Sequence, residues 1–225
     1  MKKSSLPFVI IGAVLLISIG VSIWLFNQGP AADSNTNTSK TTPTPSGPIP
    51  PGAEPAHTKG SAAAKVTLEE FGDFQCPPCG LLHPDIKKIE AEYGDRIFFT
   101  FRNNPLSRIH QYAYDAARAA EAAGMQGKYW EMHDKLYTNQ GTWSVAANPR
   151  AEFENYASLI GLNVDQFRND MIGQMTSSRV SLDMQRATAM GVTGTPTVFL
   201  NGKQLSAEDT NAERMRVLIN EALKK

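Results

Sequence analysis

The chain has 225 residues, and its 22 basic residues are balanced by 22 acidic ones, so its formal net charge is zero. The sequence contains no basic run, which argues against a nucleic-acid partner. Its two cysteines are too few for a disulfide-stapled scaffold.

The N-terminal region predicts a membrane anchor. Lys2 and Lys3 precede the uncharged, apolar stretch Leu6–Phe26, which as a helix is long enough to cross a hydrocarbon core of about 30 Å. We interpret residues 1–27 as an uncleaved transmembrane helix, and a signal sequence cleaved after Pro30-Ala-Ala32 is the alternative. By the positive-inside rule the lysines stay in the cytoplasm, so we expect a single-pass protein of the bacterial inner membrane with an extracytoplasmic, periplasmic domain.

Residues 28–55 have the composition of a linker. They are rich in Thr, Ser, Asn, Pro and Gly, with almost no large apolar side chain. Such a segment cannot bury enough surface to offset its ordering entropy, and its prolines make it a semi-extended tether. We therefore assign the folded domain to residues 56–225, a normal size for one core.

Residues 56–225 predict an α/β domain, in the order β–α–β, then helices, then β–β–α. Val66–Phe71 is rich in β-branched and apolar residues and predicts a strand. An apolar stripe that starts at Leu82 and repeats at i+4, i+7 and i+11 predicts the helix Pro77–Tyr93. The other predicted elements are the strand Arg96–Phe101; the helices Ala113–Ala123, Lys128–Tyr137, Arg150–Ile160 and Val164–Met190; the hairpin Thr197–Leu200 and Lys203–Leu205, turning at Asn201-Gly202; and the helix Asn211–Leu223.

The two cysteines are the main chemical signal. Cys76 and Cys79 are separated by Pro77 and Pro78, where the predicted strand ends and the predicted helix begins. A helix N-terminus stabilises a thiolate and can lower a cysteine pKa from about 8.5 to roughly 3.5–7.5. We predict a redox-active Cys76–Cys79 disulfide, in which the outer Cys76 is the nucleophile and Cys79 resolves the mixed disulfide.

A closely spaced cysteine pair has other known roles. A structural disulfide over four residues closes a very short loop and stabilises little. Haem attachment needs a histidine where Gly80 stands, and a zinc site usually needs a second cysteine pair. A site made by Cys76, Cys79 and His83, which lies four residues further along the same helical face, is the metal alternative that stays open.

The stretch Gly191–Thr197 places a proline immediately before a predicted strand. Cis X–Pro bonds are found in this setting, and an ordinary trans turn proline fits it as well. A cis bond between Thr195 and Pro196 leaves the Thr195 backbone free to pair with an extended substrate segment.

Two motifs together resemble the thioredoxin superfamily. One is Phe71-Gly-Asp-Phe-Gln-Cys-Pro-Pro-Cys79 with a proline five residues later, and the other is Gly194-Thr-Pro-Thr-Val-Phe-Leu-Asn-Gly202. The long helical region at about residues 104–190, with Tyr129-Trp-Glu-Met-His-Asp-Lys-Leu136 inside it, is similar to the DsbA-like branch of thiol–disulfide oxidoreductases. The resemblance runs from about His57 to the C-terminus. It implies a thioredoxin fold with a helical domain inserted between the βαβ and ββα halves.

The resemblance also implies the roles of single residues. Cys76 exchanges with protein thiols, and a cis Pro196 packs against the disulfide. The implied substrate-binding residues surround the cysteines and are Phe74, Pro77, Pro78, Thr195 and Pro196.

Glu70 matches the position of a buried acid in DsbA-like proteins, six residues before Cys76. Strand alternation places Glu70 on the same face as Leu68, so we expect its carboxyl group to point into the core below the cysteines. A buried carboxyl group has a raised pKa and can accept the proton of Cys79 during resolution. The competing assignments are a Glu70 side chain that turns to water and a role for the adjacent Glu69.

One residue departs from the DsbA-like pattern. DsbA resembles this chain but has a histidine at the position of Pro78. Proline supplies neither a hydrogen-bond donor nor a charge. We predict that Cys76 is less acidic than the corresponding cysteine of DsbA. We also predict that the disulfide is less oxidising than that of DsbA, whose reduction potential is about −120 mV. Thr195 is similar to the isomerase and Gram-positive versions, so the direction of the reaction stays open.

The leading interpretation is an exported, membrane-tethered thiol–disulfide oxidoreductase that forms or rearranges disulfides in secreted or envelope proteins. We expect its partners to be protein thiols and a membrane-embedded redox protein, either a quinone-linked oxidase or a thiol electron carrier. We expect a monomer without cofactor or bound metal. The alternatives are a thioredoxin-like reductant of the same fold, the metal-handling module described above, and a non-catalytic partner-binding domain.

Overall fold

The computed structural model describes residues 53–224, which form a five-stranded mixed sheet with helices on both faces. The elements in chain order are β1 (Thr58–Gly60), β2 (Val66–Gly72), α1 (Pro77–Tyr93), a 3-10 turn (Gly94–Arg96), β3 (Ile97–Asn103), α2 (Ala113–Gly124), α3 (Tyr129–Thr138), α4 (Gln140–Trp143), α5 (Pro149–Leu159), α6 (Val164–Ile172), α7 (Gln174–Ala189), β4 (Thr197–Leu200), β5 (Lys203–Gln204) and α8 (Ala212–Leu223). The predicted βαβ and ββα halves are therefore present, with α2 to α7 between them.

The strand order is β1-β3-β2-β4-β5. The central strands β2 and β3 are parallel, with Val66 opposite Ile97, and every other pair is antiparallel. Both central strands are buried along their whole length, as expected for parallel strands that are covered on both faces. The carboxyl end of β2 leads directly to the cysteines.

Helix α1 begins at the predicted residue because two prolines fill its first turn. Pro77 and Pro78 lack N–H groups, which would have no partner at this position. Cys76 is the N-cap residue, with extended backbone at φ −71° and ψ 119°. The predicted apolar stripe is buried and consists of Leu82, Ile86, Ile89 and Tyr93. These contacts hold α1 against the sheet with its N-terminus at Cys76.

Alternate residues of β2 point to opposite faces of the sheet and enter different clusters. The larger cluster joins both halves and the helical insertion, and it includes Leu68, Ile86, Phe101, Met132 and Ile219. The smaller cluster lies on the other face and contains Phe71, Ala187 and Phe199. Helix α7 of the insertion therefore covers the face opposite α1.

Buried ion pairs tie α7 to the sheet. Arg102 of β3 donates from Nε to Glu69 Oε1 over 2.9 Å and from Nη1 to Asp183 Oδ1 over 3.0 Å. Arg186 Nη2 donates to Glu69 Oε2 over 3.1 Å. All four side chains are buried, and their opposite charges offset the cost of removing them from water.

The prediction of one helix over Val164–Met190 is wrong. Helix α6 ends at Ile172 and α7 starts at Gln174, because Gly173 has extended backbone at φ −72° and ψ 160°. The Gly173 carbonyl accepts hydrogen bonds from Arg118 Nη2 over 2.9 Å and Thr176 Oγ1 over 3.1 Å. These side chains satisfy a backbone group that a continuous helix would have used internally.

The short elements β1 and α4 are absent from the sequence prediction, since three or four residues show no measurable periodicity. Folded contacts also begin three residues before the predicted boundary at 56, because the Ala53 carbonyl is buried and accepts a hydrogen bond from Arg102 Nη1 over 2.9 Å. Between residues 53 and 224 no helix is long and apolar enough to cross a membrane. The predicted anchor (1–27) and most of the predicted linker (28–55) lie outside the described residues.

Candidate active site

The site begins at the turn that joins β2 to α1. The Cys76 N–H donates to the Asp73 carbonyl over 3.1 Å, and the Cys76 carbonyl accepts from the N–H groups of Cys79 and Gly80 over 3.1 and 3.2 Å. The buried Asp73 carboxylate accepts from the Gln75 N–H over 2.7 Å. This network sets the outer cysteine at the first turn of α1, where the helix dipole favours a negative charge.

Cys76 is an acidic thiol. Both cysteines are free thiols in this structure. A hydrogen bond donated by the Cys79 thiol lowers the pKa of Cys76 to about 6, against the opposing effects of burial and of the Asp73 carboxylate. The backbone N–H of Cys79 acts in the same direction as its thiol. Cys76 is therefore largely a thiolate at neutral pH, the form that attacks disulfides.

Cys79 has the opposite character. It is fully buried, and burial raises its pKa far above the ordinary value, with further contributions from the hydrogen bond to Cys76 and from the charge of Glu70. Cys79 therefore keeps its proton until a neighbouring base accepts it. The two cysteines thus have the difference in acidity that a nucleophile and a resolving residue require.

The two adjacent glutamates have different environments. Glu69 pairs with Arg102 and Arg186 on the α7 face of the sheet. Glu70 is 2% exposed, and burial, with a smaller effect of the Glu90 carboxylate, raises its pKa to about 8. Glu70 also acts electrostatically on Cys79, so the structure places a protonatable acid near the resolving cysteine.

The proline loop lies against the nucleophile. The Thr195–Pro196 bond is cis, and the Cys76 Sγ of the thiol form donates to the Thr195 carbonyl oxygen over 3.3 Å. A groove of about 430 Å³ runs beside Pro78 and Pro196. Its apolar wall includes Leu81, which is 80% exposed. Pro77 is also exposed.

Phe74 does not lie at this surface. Its side chain is 1% exposed and packs on the rings of Phe101 and Tyr137 at centroid distances of 5.4 and 4.9 Å. The expectation that Phe74 contacts a substrate is therefore wrong, because its position inside the core leaves no side-chain surface to offer. Its contribution is to support the cysteine turn from below.

The alternative prediction from the sequence was a metal site made by His83 and the two cysteines. In the part of the chain that the structure describes, His83 is grouped with His133 and Asp134, and neither cysteine belongs to that group. Burial lowers the pKa of His83, and it lowers the pKa of His133 to about 4. The dithiol is thus separate from the only cluster with metal-ligand geometry between residues 53 and 224.

The side chains through which the helical insertion contacts the turn were not predicted from the sequence. Gln140 Nε2 donates to the carbonyl of Cys76 over 2.9 Å. The Asp73 carboxylate accepts from the Leu106 N–H over 2.8 Å and lies 2.7 Å from His110 Nδ1. An acid at the end of the strand was a visible signal for Asp73, whereas nothing near Gln140 indicates its partner.

Comparison with known proteins identifies the family of the chain. A family model described as Thioredoxin matches residues 53–221. In solved structures, oxidised BdbD from Bacillus subtilis is similar at a TM-score of 0.67 and 24% identity, over 80% of this chain and 97% of that one. The thiol-disulfide exchange protein α-DsbA2 from Wolbachia pipientis is similar at a TM-score of 0.61 and 19% identity, over 74% of this chain and 85% of that one.

The chain therefore belongs to the thioredoxin family, and its fold is DsbA-like. The fold and the dithiol together define an oxidoreductase that acts on thiols and disulfides.

Curated relatives are longer than this chain. The Na(+)/H(+) antiporter NhaA 1 of Mycolicibacterium gilvum is 40% identical over 154 residues, which cover 66% of this chain and 24% of that protein. The chain thus spans about a quarter of the length of the curated relatives it matches.

Proposed function

We propose that the protein is an exported thiol–disulfide oxidoreductase that forms or rearranges disulfide bonds in secreted or envelope proteins. The observation that carries the proposal is the contrast between Cys76, whose pKa is lowered to about 6, and the buried Cys79 beside it. Only one of the two sulfurs is then available to a substrate, and the other is held for resolution.

The exchange moves two electrons through two thiolate attacks. With the Cys76–Cys79 disulfide formed, a substrate thiolate attacks Cys76, and Cys79 leaves as a thiolate that takes a proton from Glu70. A second substrate thiolate attacks the substrate sulfur of the mixed disulfide, and Cys76 leaves as a thiolate. The substrate gains a disulfide and the enzyme becomes the dithiol. In the reverse direction the Glu70 carboxylate accepts the Cys79 proton before Cys79 attacks Cys76.

The substrate is proposed to lie across the proline loop. An extended segment can pair with the Thr195 backbone by strand addition, while its apolar side chains occupy the groove beside Pro78, Leu81 and Pro196. The Thr195 carbonyl oxygen lies 3.3 Å from Cys76 Sγ, so a segment paired with the Thr195 backbone would pass beside the sulfur. We propose Pro77 as the flanking contact, since it is exposed at the same helix start.

Export and tethering complete the proposal. Residues 1–27 are proposed as a membrane anchor, with the redox domain on the extracytoplasmic side. A tether keeps the dithiol at high effective concentration near emerging substrates and near a membrane-embedded redox partner, either a quinone-linked oxidase or a thiol electron carrier. Antiport is not proposed, because the matched curated relatives are about four times longer than the shared region.

A glutathione titration of the full-length chain tests this function and its direction. The Cys76–Cys79 pair is followed by thiol alkylation and mass. A potential above about −180 mV is expected for a donor of disulfides, whereas a value near about −270 mV would assign the protein as a thioredoxin-like reductant.

The Cys76→Ser variant is the control for the dithiol. It is expected to abolish the refolding of a reduced substrate protein. A variant that keeps full function in this assay, or a wild-type pair that does not cycle, contradicts an oxidoreductase and favours a non-catalytic partner-binding domain.

A further inference from the structure

A histidine–aspartate cluster connects α1 to α3, one helical turn beyond Cys79. Asp134 Oδ1 lies 3.6 Å from His83 Nε2 and 3.3 Å from His133 Nδ1. The two imidazole rings are inclined by 62°, with their centroids 5.3 Å apart. Each of the three residues offers a ligand atom within 4.8 Å of the others.

The two distances from Asp134 Oδ1 to the imidazole nitrogens are close to the spacing of ligands around a tetrahedral ion. Zinc bonds of about 2.0–2.1 Å to nitrogen or oxygen put neighbouring ligand atoms roughly 3.3–3.4 Å apart. Two imidazoles and one carboxylate are also a donor set that zinc uses, with water in the fourth position. We propose that His83, His133 and Asp134 form a zinc site, which departs from our expectation of a protein without bound metal.

Burial and protonation suit this role. His83 and His133 are buried, while Asp134 is 38% exposed and opens the cluster to solvent. Neutral imidazole is the form that binds metal. Coordination through His133 Nδ1 requires the ring proton on Nε2, an atom with no hydrogen-bond partner among residues 53–224, so the change of tautomer breaks no bond at Nε2.

Lys87 is the natural competitor for the ion. Its ammonium group donates to Asp134 Oδ2 over 2.9 Å. The side chain is 39% exposed, so it can move into solvent when a divalent cation arrives. Asp134 Oδ1, the oxygen that faces the two histidines, is not the one that Lys87 contacts. Removing the ammonium group is therefore expected to strengthen zinc binding, an effect that a purely structural ion pair does not predict.

The site joins the active-site helix to the helical insertion. His83 belongs to α1, and His133 and Asp134 belong to α3. A ligand that binds only the folded state stabilises it in proportion to the logarithm of its concentration. Zinc is therefore expected to raise the melting temperature of the whole domain.

The test uses the full-length chain with Cys76→Ser and Cys79→Ser, which removes thiol ligands. ZnCl2 is titrated in competition with a chromophoric chelator, and Co2+ is added separately to read tetrahedral coordination from its visible spectrum. We expect one equivalent of zinc to bind. On this background Asp134→Ala should weaken binding by more than about tenfold, Lys87→Met should tighten it several-fold, and His110→Gln should leave it unchanged.

Two results overturn the proposal. One is the absence of stoichiometric zinc binding once the cysteines are replaced, which assigns any binding to the dithiol. The other is an Asp134→Ala variant with the affinity of its parent. Melting without zinc shows whether each variant is folded; if Asp134→Ala is not, His83→Gln replaces it with the same expected loss. The zinc-induced rise in melting temperature must disappear in the same variants.

Discussion

The side-chain amide of Gln140 donates a hydrogen bond to the carbonyl oxygen of Cys76 over 2.9 Å. The same amide nitrogen donates to the Phe74 carbonyl over 2.7 Å. Gly80 leaves the room for this contact, since a Cβ at that position would lie 2.5 Å from Gln140 Oε1. The helical insertion therefore holds the turn that presents the nucleophile.

Replacing Gln140 by Ala should destabilise the domain by about 1–3 kcal/mol, because two hydrogen bonds are lost: the Phe74 carbonyl loses this donor, and the Cys76 carbonyl keeps only the N–H groups of Cys79 and Gly80. Urea unfolding of the reduced protein measures this loss. Gln111→Ala is the control, since Gln111 is exposed and belongs to the loop before α2. Equal unfolding midpoints for the two variants would show that the Gln140 hydrogen bonds contribute no net stability.

The adjacent glutamates should respond oppositely to neutralisation. The pKa of Glu70 is raised to about 8 from an ordinary 4.5, so its contribution to stability is full below about pH 4.5 and is lost as the pH rises through about 8. Glu70→Gln should therefore be more stable than wild type above pH 8. Glu69→Gln removes a charge that is paired with Arg102 and Arg186, and it should lose roughly 3–5 kcal/mol at neutral pH.

Free energies of unfolding at pH 5, 7 and 9 test this contrast. A Glu70→Gln variant whose stability follows that of wild type across all three values would mean that the buried carboxyl group does not titrate on unfolding.

The Glu70→Gln substitution should also slow resolution, the attack of Cys79 on the mixed disulfide. Without a carboxylate to accept its proton, Cys79 attacks the mixed disulfide more slowly, by roughly 10²–10⁴-fold if Glu70 is the general base. In wild type the rate should rise with pH through about 8, where Glu70 ionises, and Glu70→Gln should lack this rise. Quenched-flow trapping of a mixed disulfide with a small model substrate measures both rates. A pH profile that is unchanged in the variant excludes the proton transfer.

The acidity of Cys76 should depend on the residue at position 78. In wild type the rate of alkylation by iodoacetamide should reach half its maximum near the pKa of Cys76, about 6. Pro78→His adds a donor and a partial positive charge beside the thiolate, which should lower this midpoint and raise the reduction potential. Pro78→Ala restores an N–H without a charge and serves as the control. No change in midpoint or potential with histidine would contradict our prediction that Pro78 makes the pair less oxidising than in DsbA.

Local signals in the sequence were sufficient to predict those parts of the site that are formed by consecutive residues. The apolar stripe and the two prolines predicted α1 from Pro77 to Tyr93, and these bounds are confirmed. The alternation along β2 also predicted that Glu70 faces the core, where the structure buries it. In each case the physical cause lies within a few residues of its effect.

Contacts between distant segments were not predictable in the same way. Gln140 lies 64 residues from the Cys76 carbonyl that it contacts, and no periodicity marks such a pair. The break at Gly173 depends on Arg118 in another helix. Phe74 precedes the cysteines in a motif from which we predicted a substrate contact at the surface, but its ring packs against those of Phe101 and Tyr137 in the core. These side chains needed the tertiary structure because their partners are set by the fold.

The buried ion pairs between the sheet and α7 also bear on how the domain unfolds. Opening the helical insertion while the sheet persists would separate Arg102 from Asp183 and Arg186 from Glu69, and charges without partners in a dry interior cost several kcal/mol. A partly opened state of this kind is therefore scarcely populated. We therefore expect the inserted helices and the strands to unfold as one cooperative unit, in a single transition.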